Sequence, residues 1–199
     1  SLCNSFISCA VAKQRPFERS RKARRSLPDC IISRPCSKIS RTGNLLMLFF
    51  DYSITHLEMP GDICLTFYIS ECQNRCPDCH SQDLWKPVGS ELPGCFVPLL
   101  QLYRQRISCV CFLGEGRNTE AEHAEFASLC SIARQYELKT CLYSGRDCEI
   151  EDWMLCFDFV KVGSYQKEFG PITETTTNQK MYKINNGKHI DVTHIFWSS

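Results

Sequence analysis

The chain has 199 residues, of which 43% are hydrophobic and 23% are charged, and its formal net charge is +1 at pH 7. These values are ordinary for a globular protein and name no function, and the length suggests one domain with or without an appendage. Because no apolar run approaches the ~20 residues of a transmembrane helix, the sequence argues against a membrane protein.

Fifteen cysteines is a high count for a chain of this length. It fits either a disulfide framework in a secreted protein or reduced thiols, some of them bound to metal, in the cytoplasm. The count is odd, and Cys109 and Cys111 lie in an apolar run, where cysteine behaves as a small buried hydrophobe. The segment from Ser1 to Ala12 is apolar, but basic residues follow it rather than precede it, so we expect no export signal. The sequence therefore favours a cytoplasmic protein with reduced thiols.

Residues 1–46 form a basic arm that differs from the rest of the chain. Ten Lys or Arg residues stand against two acidic residues before Met47, so the arm carries +8 and the remainder −7. The arm lacks helix or strand periodicity, so we expect it to be disordered or to be upstream sequence ahead of a true start at Met47. Nucleic-acid binding is the usual function of such an arm, but no interleaved aromatic residues support it. Residues 47–199 are the expected folded domain.

Downstream of Met47 the pattern alternates between strands and a helix. Four apolar runs predict strands at 62–70, 107–113, 138–143 and 157–162. Residues 119–136 space their apolar side chains as one face of a helix. Strand, helix and strand in succession are typical of a parallel α/β fold. Near the end, Asn185-Asn186-Gly187 separates two short strand patterns and predicts a β-hairpin.

Other side chains in these elements are predicted to serve packing. The aromatic residues expected in the core are Phe67, Tyr68, Phe157 and Phe159. The cysteines assigned to packing rather than to metal are Cys64, Cys109, Cys111, Cys130, Cys141, Cys148 and Cys156.

The segment after the first predicted strand contains three cysteines within eight residues. Cys72, Cys76 and Cys79 follow the spacing Cys-x3-Cys-x2-Cys. The carboxyl ends of parallel strands are where α/β sheets bind ligands, and thiolates select soft or borderline metals. The three cysteines therefore predict either a zinc site or an iron–sulfur cluster.

Zinc and an iron–sulfur cluster make different demands on the chain. A structural zinc site needs a fourth protein ligand, and since no second Cys-x2-Cys or His pair follows, that ligand would be a distant residue such as Cys64 or Cys95. A cluster on three thiolates leaves one iron open for a small molecule. A non-enzymatic zinc-binding module with a basic arm thus stands as one alternative.

The cysteine spacing resembles the signature of the radical S-adenosylmethionine (SAM) enzymes. Within that superfamily, the segment Cys76-Pro77-Asp78-Cys79-His80-Ser81 resembles the anaerobic ribonucleoside-triphosphate reductase activating proteins. The similarity covers roughly residues 48–197. It includes Leu84-Trp85, Leu138-Lys139-Thr140, Tyr143-Ser144-Gly145-Arg146 and residues 157–163, 169–172 and 176–182.

The resemblance implies a fold, two cofactors and an activity. The fold is a partial (β/α) barrel of the radical SAM type with a C-terminal β-hairpin, and the cofactors are a [4Fe–4S] cluster on Cys72, Cys76 and Cys79 and SAM. The activity is reductive cleavage of SAM to a 5′-deoxyadenosyl radical, which generates a glycyl radical on an anaerobic ribonucleotide reductase. The electron would come from a one-electron donor such as flavodoxin. A radical SAM enzyme with a small-molecule substrate is an alternative, although residues 47–199 are few for a barrel that encloses its substrate.

The resemblance also implies where SAM is bound. The family usually has Gly-Gly-Glu or Gly-Gly-Asp after its second strand, whereas this chain has Gly114-Glu115-Gly116. The SAM ammonium would contact either the Glu115 carboxylate or the backbone of Gly114 and Gly116, and a plain turn is the alternative. Asp78, Cys79 and His80 are the other implied SAM positions, mainly through their backbone. Arg146 is either a substrate contact or a solvated loop cation.

Overall fold

The computed structural model describes residues 46–76, 79 and 81–197. The basic arm, apart from Leu46, and the loop positions Pro77, Asp78 and His80 lie outside this part of the chain. The expectations that the arm is disordered and that Asp78 and His80 contact SAM therefore fall on residues that the structure does not describe.

The described residues form strands, two α-helices and three short 3-10 helices. In chain order the elements are β1 (Leu48–Thr55), β2 (Cys64–Ile69), β3 (Ser90–Glu91), α1 (Leu92–Tyr103), β4 (Cys109–Leu113), α2 (Glu120–Gln135), β5 (Lys139–Tyr143), β6 (Phe159–Val162), β7 (Lys180–Asn185) and β8 (Lys188–Asp191). The 3-10 helices are Gln82–Trp85, Asp152–Cys156 and Thr193–Phe196. The four strands, the helix and the hairpin predicted from the sequence are all present, with their ends shifted by a few residues.

All of these strands belong to one eight-stranded sheet with the order β3-β1-β2-β4-β5-β6-β7-β8. The central strands β2, β4, β5 and β6 are parallel. On one side β1 and β3 pair antiparallel, and on the other side the hairpin of β7 and β8 is antiparallel as well. The sheet is therefore mixed, with four parallel strands at its centre and antiparallel strands on both sides.

The expectation of a partial (β/α) barrel is wrong. The sheet is open, with β3 and β8 at its two edges, and two α-helices accompany the strands of the described chain. A (β/α) barrel is built from strands that are each followed by a helix in an outer ring. Here the 3-10 helix Asp152–Cys156 joins β5 to β6, and antiparallel strands flank the parallel set on both sides. The sequence pattern identified β4, α2 and β5 as one strand–helix–strand unit, but it did not reveal how the other strands are joined.

Both faces of the central strands are buried. On one face the two helices cover side chains that include Leu65, Phe67, Val110 and Phe112. The opposite face carries a second, sulfur-rich core formed by Met59, Cys64, Cys109, Cys111, Cys141, Ile172, Met181 and Phe196. Burial on both sides explains why these strands read as nearly continuous apolar runs rather than as alternating patterns.

Aromatic rings fill the core beneath the helices. Neighbouring ring centroids in this cluster lie between 5.4 and 6.0 Å apart, and the rings belong to Phe67, Phe96, Phe112, Phe126 and Phe157. Each buried ring contributes roughly 1.5–3 kcal/mol by leaving water. The predicted core residues Phe67 and Phe157 are fully buried, whereas Tyr68 and Phe159 are half-buried on the other face.

Helix α2 begins next to the ends of the parallel strands because of a cap. The Thr119 hydroxyl accepts a hydrogen bond from the Glu122 amide at 3.4 Å. The buried Glu122 carboxylate accepts bonds from the Arg117 amide at 2.8 Å and from Arg117 Nε at 3.0 Å. The helix ends before Glu137, which has a φ of 59° in the left-handed region.

Helix α1 was not predicted from the sequence. Gly94 and Pro98 lie within it and lower its intrinsic helix propensity, whereas Pro93 is in the first turn, where proline is tolerated. The helix forms because four of its side chains are fully buried against the sheet: Leu92, Phe96, Leu99 and Leu100. In the described residues, no helix combines the length and the apolar character needed to span a bilayer.

Candidate metal centre and adjoining cavity

Several loops meet where the parallel strands end. Residues 70–81 follow β2, residues 114–118 follow β4, and residues 144–150 follow β5. Because neighbouring parallel strands end at the same edge of the sheet, these loops are brought together there. The three cysteines, the Gly114-Glu115-Gly116 turn and Arg146 therefore share one edge of the molecule.

The cysteine-rich loop, residues 70–81, is held by backbone hydrogen bonds. The Cys72 amide donates to the Leu84 carbonyl at 3.0 Å, and the Cys79 amide donates to the Cys76 carbonyl at 3.1 Å. The Ser81 amide donates to Cys79 Sγ at 3.4 Å. All three cysteines are half-buried and none is in a disulfide, so their thiols are available as ligands.

Asn74 connects this loop to the end of β5. Its side-chain amide donates to Cys76 Sγ at 2.8 Å and also to the Gly145 carbonyl. A Cβ on Gly145 would lie 2.7 Å from Asn74 Nδ2 and 3.5 Å from Cys76 Sγ. A side chain at position 145 would therefore displace the Asn74 amide, which packs against Gly145.

The three thiols influence one another electrostatically. Burial raises the pKa of Cys72, and the negative charges of Cys76 and Cys79 raise it further. Burial and the charge of Cys79 likewise raise the pKa of Cys76, while Asn74 and Lys161 lower it. Three thiolates close together repel one another unless a positive centre lies between them.

The donor chemistry of the loop fits an iron–sulfur cluster. Thiolates are the ligands of such clusters, and hydrogen bonds to their sulfurs tune them, as Asn74 and the Ser81 amide would do for Cys76 and Cys79. In the part of the chain that the structure describes, no three His, Cys, Asp or Glu side chains are grouped so that they could hold a metal ion. The thiolates of one cluster bind different irons rather than a single ion.

The two cysteines considered as a fourth zinc ligand lie elsewhere. Cys64 is the first residue of β2 and is fully buried in the second core, roughly 17 Å along the strand from the loop that follows Ile69. Cys95 lies in α1 and packs against the first core. Cys64 therefore lies at the opposite end of β2 from the three-cysteine loop, and the side chain of Cys95 packs against the first core.

The backbone of the Gly114-Glu115-Gly116 turn explains both of its glycines. Gly114 has a φ of 109° and Gly116 a φ of 65°, and a Cβ on Gly116 would lie 2.9 Å from Glu122 Oε1. Glu115, between them, is only 7% exposed. The sole side chain of this tripeptide is therefore a nearly buried carboxylate.

Arg146 bridges that carboxylate and a second one. Its Nε donates to Glu115 Oε2 at 2.7 Å, and its Nη2 donates to Glu115 Oε1 at 3.3 Å. Its Nη1 and Nη2 donate to the two oxygens of Glu151, each at 2.8 Å. The hydrogen bonds from Arg146 lower the pKa of Glu151 to about 2. The interpretation of Arg146 as a solvated loop cation is wrong, because its guanidinium is paired on both sides.

Aromatic contacts extend this bridge to α2. Trp153 Nε1 donates to Glu151 Oε2 at 2.6 Å, and the Trp153 ring stacks on His123 with a centroid distance of 4.1 Å. His123 Nε2 lies 2.7 Å from Asn118 Oδ1, in the loop after β4. These contacts fix the position of Glu151 and, through it, of Arg146.

A cavity of about 170 Å³ lies between these groups. Its wall is formed by the following residues: Cys72, Gln73, Asn74, Gly114, Glu115, Gly116, Asn118, Gly145 and Arg146. The structure therefore brings one predicted metal ligand and the whole predicted SAM-binding turn to the same cavity. Cys76 is linked to that cavity through Asn74 and Gly145.

Lys161 is a site residue that the sequence analysis did not single out. Its Nζ donates to the Gly163 carbonyl at 2.5 Å and lies 5.8 Å from the centroid of the Tyr143 ring. Burial lowers its pKa to about 8, whereas the negative charges of Cys76 and Asp147 act in the opposite direction. The available signal was a lysine between Val160 and Val162 in a buried strand, where lysine is rare unless it has a partner.

Asn74 was also missed, because a polar residue within a loop carries no distinguishing pattern. Of the sequence-predicted site residues, Cys72, Cys76, Cys79 and the 114–116 turn are described, whereas Asp78 and His80 are not. Comparison of this chain with protein-family models, with curated proteins and with solved structures found no match.

Proposed function

We propose that this chain is a radical SAM activating enzyme, with a [4Fe–4S] cluster on Cys72, Cys76 and Cys79 and an anaerobic ribonucleoside-triphosphate reductase as its protein substrate. The observation that carries the proposal is the junction of a three-thiol loop with a cavity whose wall contains both Cys72 and Glu115. The loop has the cysteine spacing of the radical SAM family, and the cavity adjoins it. When bound, the cluster would supply the electron that cleaves SAM to methionine and a 5′-deoxyadenosyl radical.

The charges of the cavity wall suit SAM, which has an ammonium, a sulfonium and a carboxylate. Glu115 offers a carboxylate to the ammonium, and charge-assisted hydrogen bonds of this kind are strong. Arg146 holds that carboxylate and is itself paired with Glu151, so the three side chains together carry −1. Glu115 and Arg146 line the cavity and Glu151 contacts Arg146, so this net negative charge next to the cavity attracts a cationic ligand.

The rest of the site serves the cysteine loop. Asn74 fixes the loop to Gly145 and donates to Cys76, which restrains the position of that sulfur. Lys161 places a buried positive charge near Cys76, where it lowers the pKa of the thiol. Both residues stabilise a thiolate, the form that binds metal.

The choice of a protein substrate rests on the sequence. The resemblance to the reductase-activating proteins extends over roughly residues 48–197, and residues 47–199 are few for a fold that encloses a small-molecule substrate. A one-electron donor such as flavodoxin would reduce the protein in the cytoplasm. All eleven described cysteines are free thiols, which suits a reducing compartment.

Anaerobic reconstitution with iron and sulfide tests the proposal. The full chain should become brown, bind about four irons, and release 5′-deoxyadenosine when SAM and dithionite are added. Cys72→Ala, Cys76→Ala and Cys79→Ala should each lose the cluster. Cys109→Ala is the matched control, because Cys109 is buried in the second core, and it should keep both the cluster and the activity.

Two other outcomes would replace the proposal. Colourless protein that binds one zinc per chain, with Cys72 protected from alkylation, would assign a zinc-binding module. SAM cleavage that proceeds without any glycyl radical, as seen by electron paramagnetic resonance after addition of the reductase, would assign a small-molecule radical SAM enzyme.

A further inference from the structure

A second pair of thiols lies apart from the candidate metal centre. Cys130 is on α2 and is fully buried, and Cys156 is the half-buried last residue of the 3-10 helix Asp152–Cys156. A hydrogen bond joins their Sγ atoms, which are 3.8 Å apart. Neither residue lines the cavity, so the proposed function makes no use of them.

We infer that Cys130 and Cys156 are a dithiol site that forms a reversible disulfide with a low-molecular-weight disulfide such as oxidised glutathione. The sulfurs have to move roughly 1.8 Å closer to reach the S–S bond length of about 2.05 Å. The movement falls on a short 3-10 helix that follows an irregular segment, residues 144–151, rather than on a strand of the sheet. Cys130 and Cys156 can therefore form a disulfide without a change in the register of the strands.

The other neighbouring thiols of the fold differ from this pair. Cys64 lies opposite Cys109 and Cys111 opposite Cys141 across adjacent parallel strands, and all four are completely buried. An oxidant cannot reach them while the sheet is intact. They provide an internal control for oxidation of the folded protein.

Cys130 and Cys156 have different roles in thiol–disulfide exchange with oxidised glutathione. The hydrogen bond between the two thiols and the nearby positive charge of Arg134 both lower the pKa of Cys156. Burial raises the pKa of Cys130. Cys156 is also the more exposed of the two, so it is the attacking thiol.

The exchange is balanced in atoms and electrons. The Cys156 thiolate attacks one sulfur of oxidised glutathione, forms a mixed disulfide and expels one glutathione thiolate. Cys130 then loses its proton, attacks the Cys156 sulfur and expels the second glutathione thiolate. Two protein thiols are oxidised by two electrons, and one molecule of oxidised glutathione is reduced to two of glutathione.

Peptide mapping of the full chain tests this inference without iron, SAM or activity. The protein is incubated with oxidised glutathione, its remaining thiols are blocked with N-ethylmaleimide, and it is digested with trypsin. Cleavage after Arg117 and Arg134 gives peptide 118–134, whose only cysteine is Cys130. Cleavage after Arg146 and Lys161 gives peptide 147–161, which contains Cys148 and Cys156.

We expect more than half of peptide 118–134 to be joined to peptide 147–161, and dithiothreitol to separate them. The joined peptides should persist in Cys148→Ser and disappear in Cys156→Ser. Cys64, Cys109, Cys111 and Cys141 should be blocked only after unfolding in guanidinium. The inference is overturned if peptide 118–134 is recovered mainly as the maleimide adduct, whether the maleimide is added before or after unfolding. It is also overturned if the joined peptides are lost in Cys148→Ser but persist in Cys156→Ser.

Discussion

The Nε of Arg146 donates to Oε2 of Glu115 at 2.7 Å, so the carboxylate that faces the candidate cavity is already held by a cation from the neighbouring strand end. Glu115 follows β4 and Arg146 follows β5, and no sequence pattern links them. Arg146 in turn is held by Glu151. Glu115 and Arg146 of the cavity wall thus form one unit with Glu151, which lies outside the wall.

Glu115→Gln should weaken SAM binding to the reconstituted protein while its iron content stays unchanged. The amide keeps the shape of the side chain but loses the charge, and a charge-assisted hydrogen bond contributes about 1.5–3 kcal/mol. The dissociation constant of SAM, measured by anaerobic calorimetry, should therefore rise roughly ten- to a hundred-fold. Glu120→Gln, in the exposed first turn of α2, is the control and should bind SAM like the parent. An unchanged constant for Glu115→Gln would move the contact to the backbone of Gly114 and Gly116.

Arg146 and Glu115 should be strongly coupled in stability. Removing Arg146 leaves the Glu115 carboxylate, whose side chain is 8% exposed, without its counterion, whereas removing Glu115 leaves Arg146, which is 25% exposed, paired with Glu151 alone. Urea unfolding of Arg146→Ala, Glu115→Ala and the double variant forms a complete cycle. We expect an interaction free energy of about 1–3 kcal/mol. The double variant should therefore lose less unfolding free energy than the two single variants lose when their losses are added. Additive losses would show that the pair contributes only through its separate contacts.

Gly145→Ala should lower the iron content after reconstitution. The added methyl group would lie 2.7 Å from Asn74 Nδ2, so Asn74 and the loop that it anchors must move. Gly94→Ala is a matched control, because no atom lies within 4 Å of a Cβ at that position of α1. This control should gain about 0.5–1 kcal/mol of stability and bind iron normally. Equal iron content in the two variants would mean that the loop binds its metal without the Asn74–Gly145 contact.

The contribution of Glu151 to stability should disappear in acid. The pKa of Glu151 is about 2 in the folded protein, against an ordinary value of 4.5, so the unfolded chain takes up the proton first as the pH falls. The stabilisation is fully present above about pH 5 and is lost as the pH falls from there to about 2. Since the Glu151 side chain is 40% exposed, solvent screening limits it to about 1 kcal/mol.

Unfolding of the parent and of Glu151→Gln by urea at a series of pH values measures this contribution. The free energies of unfolding should differ at pH 7 and converge as the pH falls to about 2. A difference that stays constant across this range would mean that ionisation of Glu151 does not contribute to stability.

The sequence by itself determined the local elements and the spacing of the cysteines. The strands at β2, β4, β5 and β6, helix α2 and the C-terminal hairpin follow from apolar periodicity and from the Asn-Gly turn, which depend on neighbouring residues. The loop of Cys72, Cys76 and Cys79 was recognisable for the same reason, since all three cysteines lie within eight residues.

Only the tertiary structure decided how these elements are assembled. Helix α1 forms despite Pro98 in its interior because the sheet buries its apolar side chains, and burial against a distant strand is invisible in a local pattern. The partial barrel was expected by analogy, whereas closure of a sheet depends on strand number and on the direction of the edge strands. The bridge from Glu115 through Arg146 to Glu151, the contact of Asn74 with Gly145, and the proximity of Lys161 to Cys76 all join different strand ends. Parallel pairing aligns those ends in space, and because that alignment is long-range, the chain order alone does not reveal it.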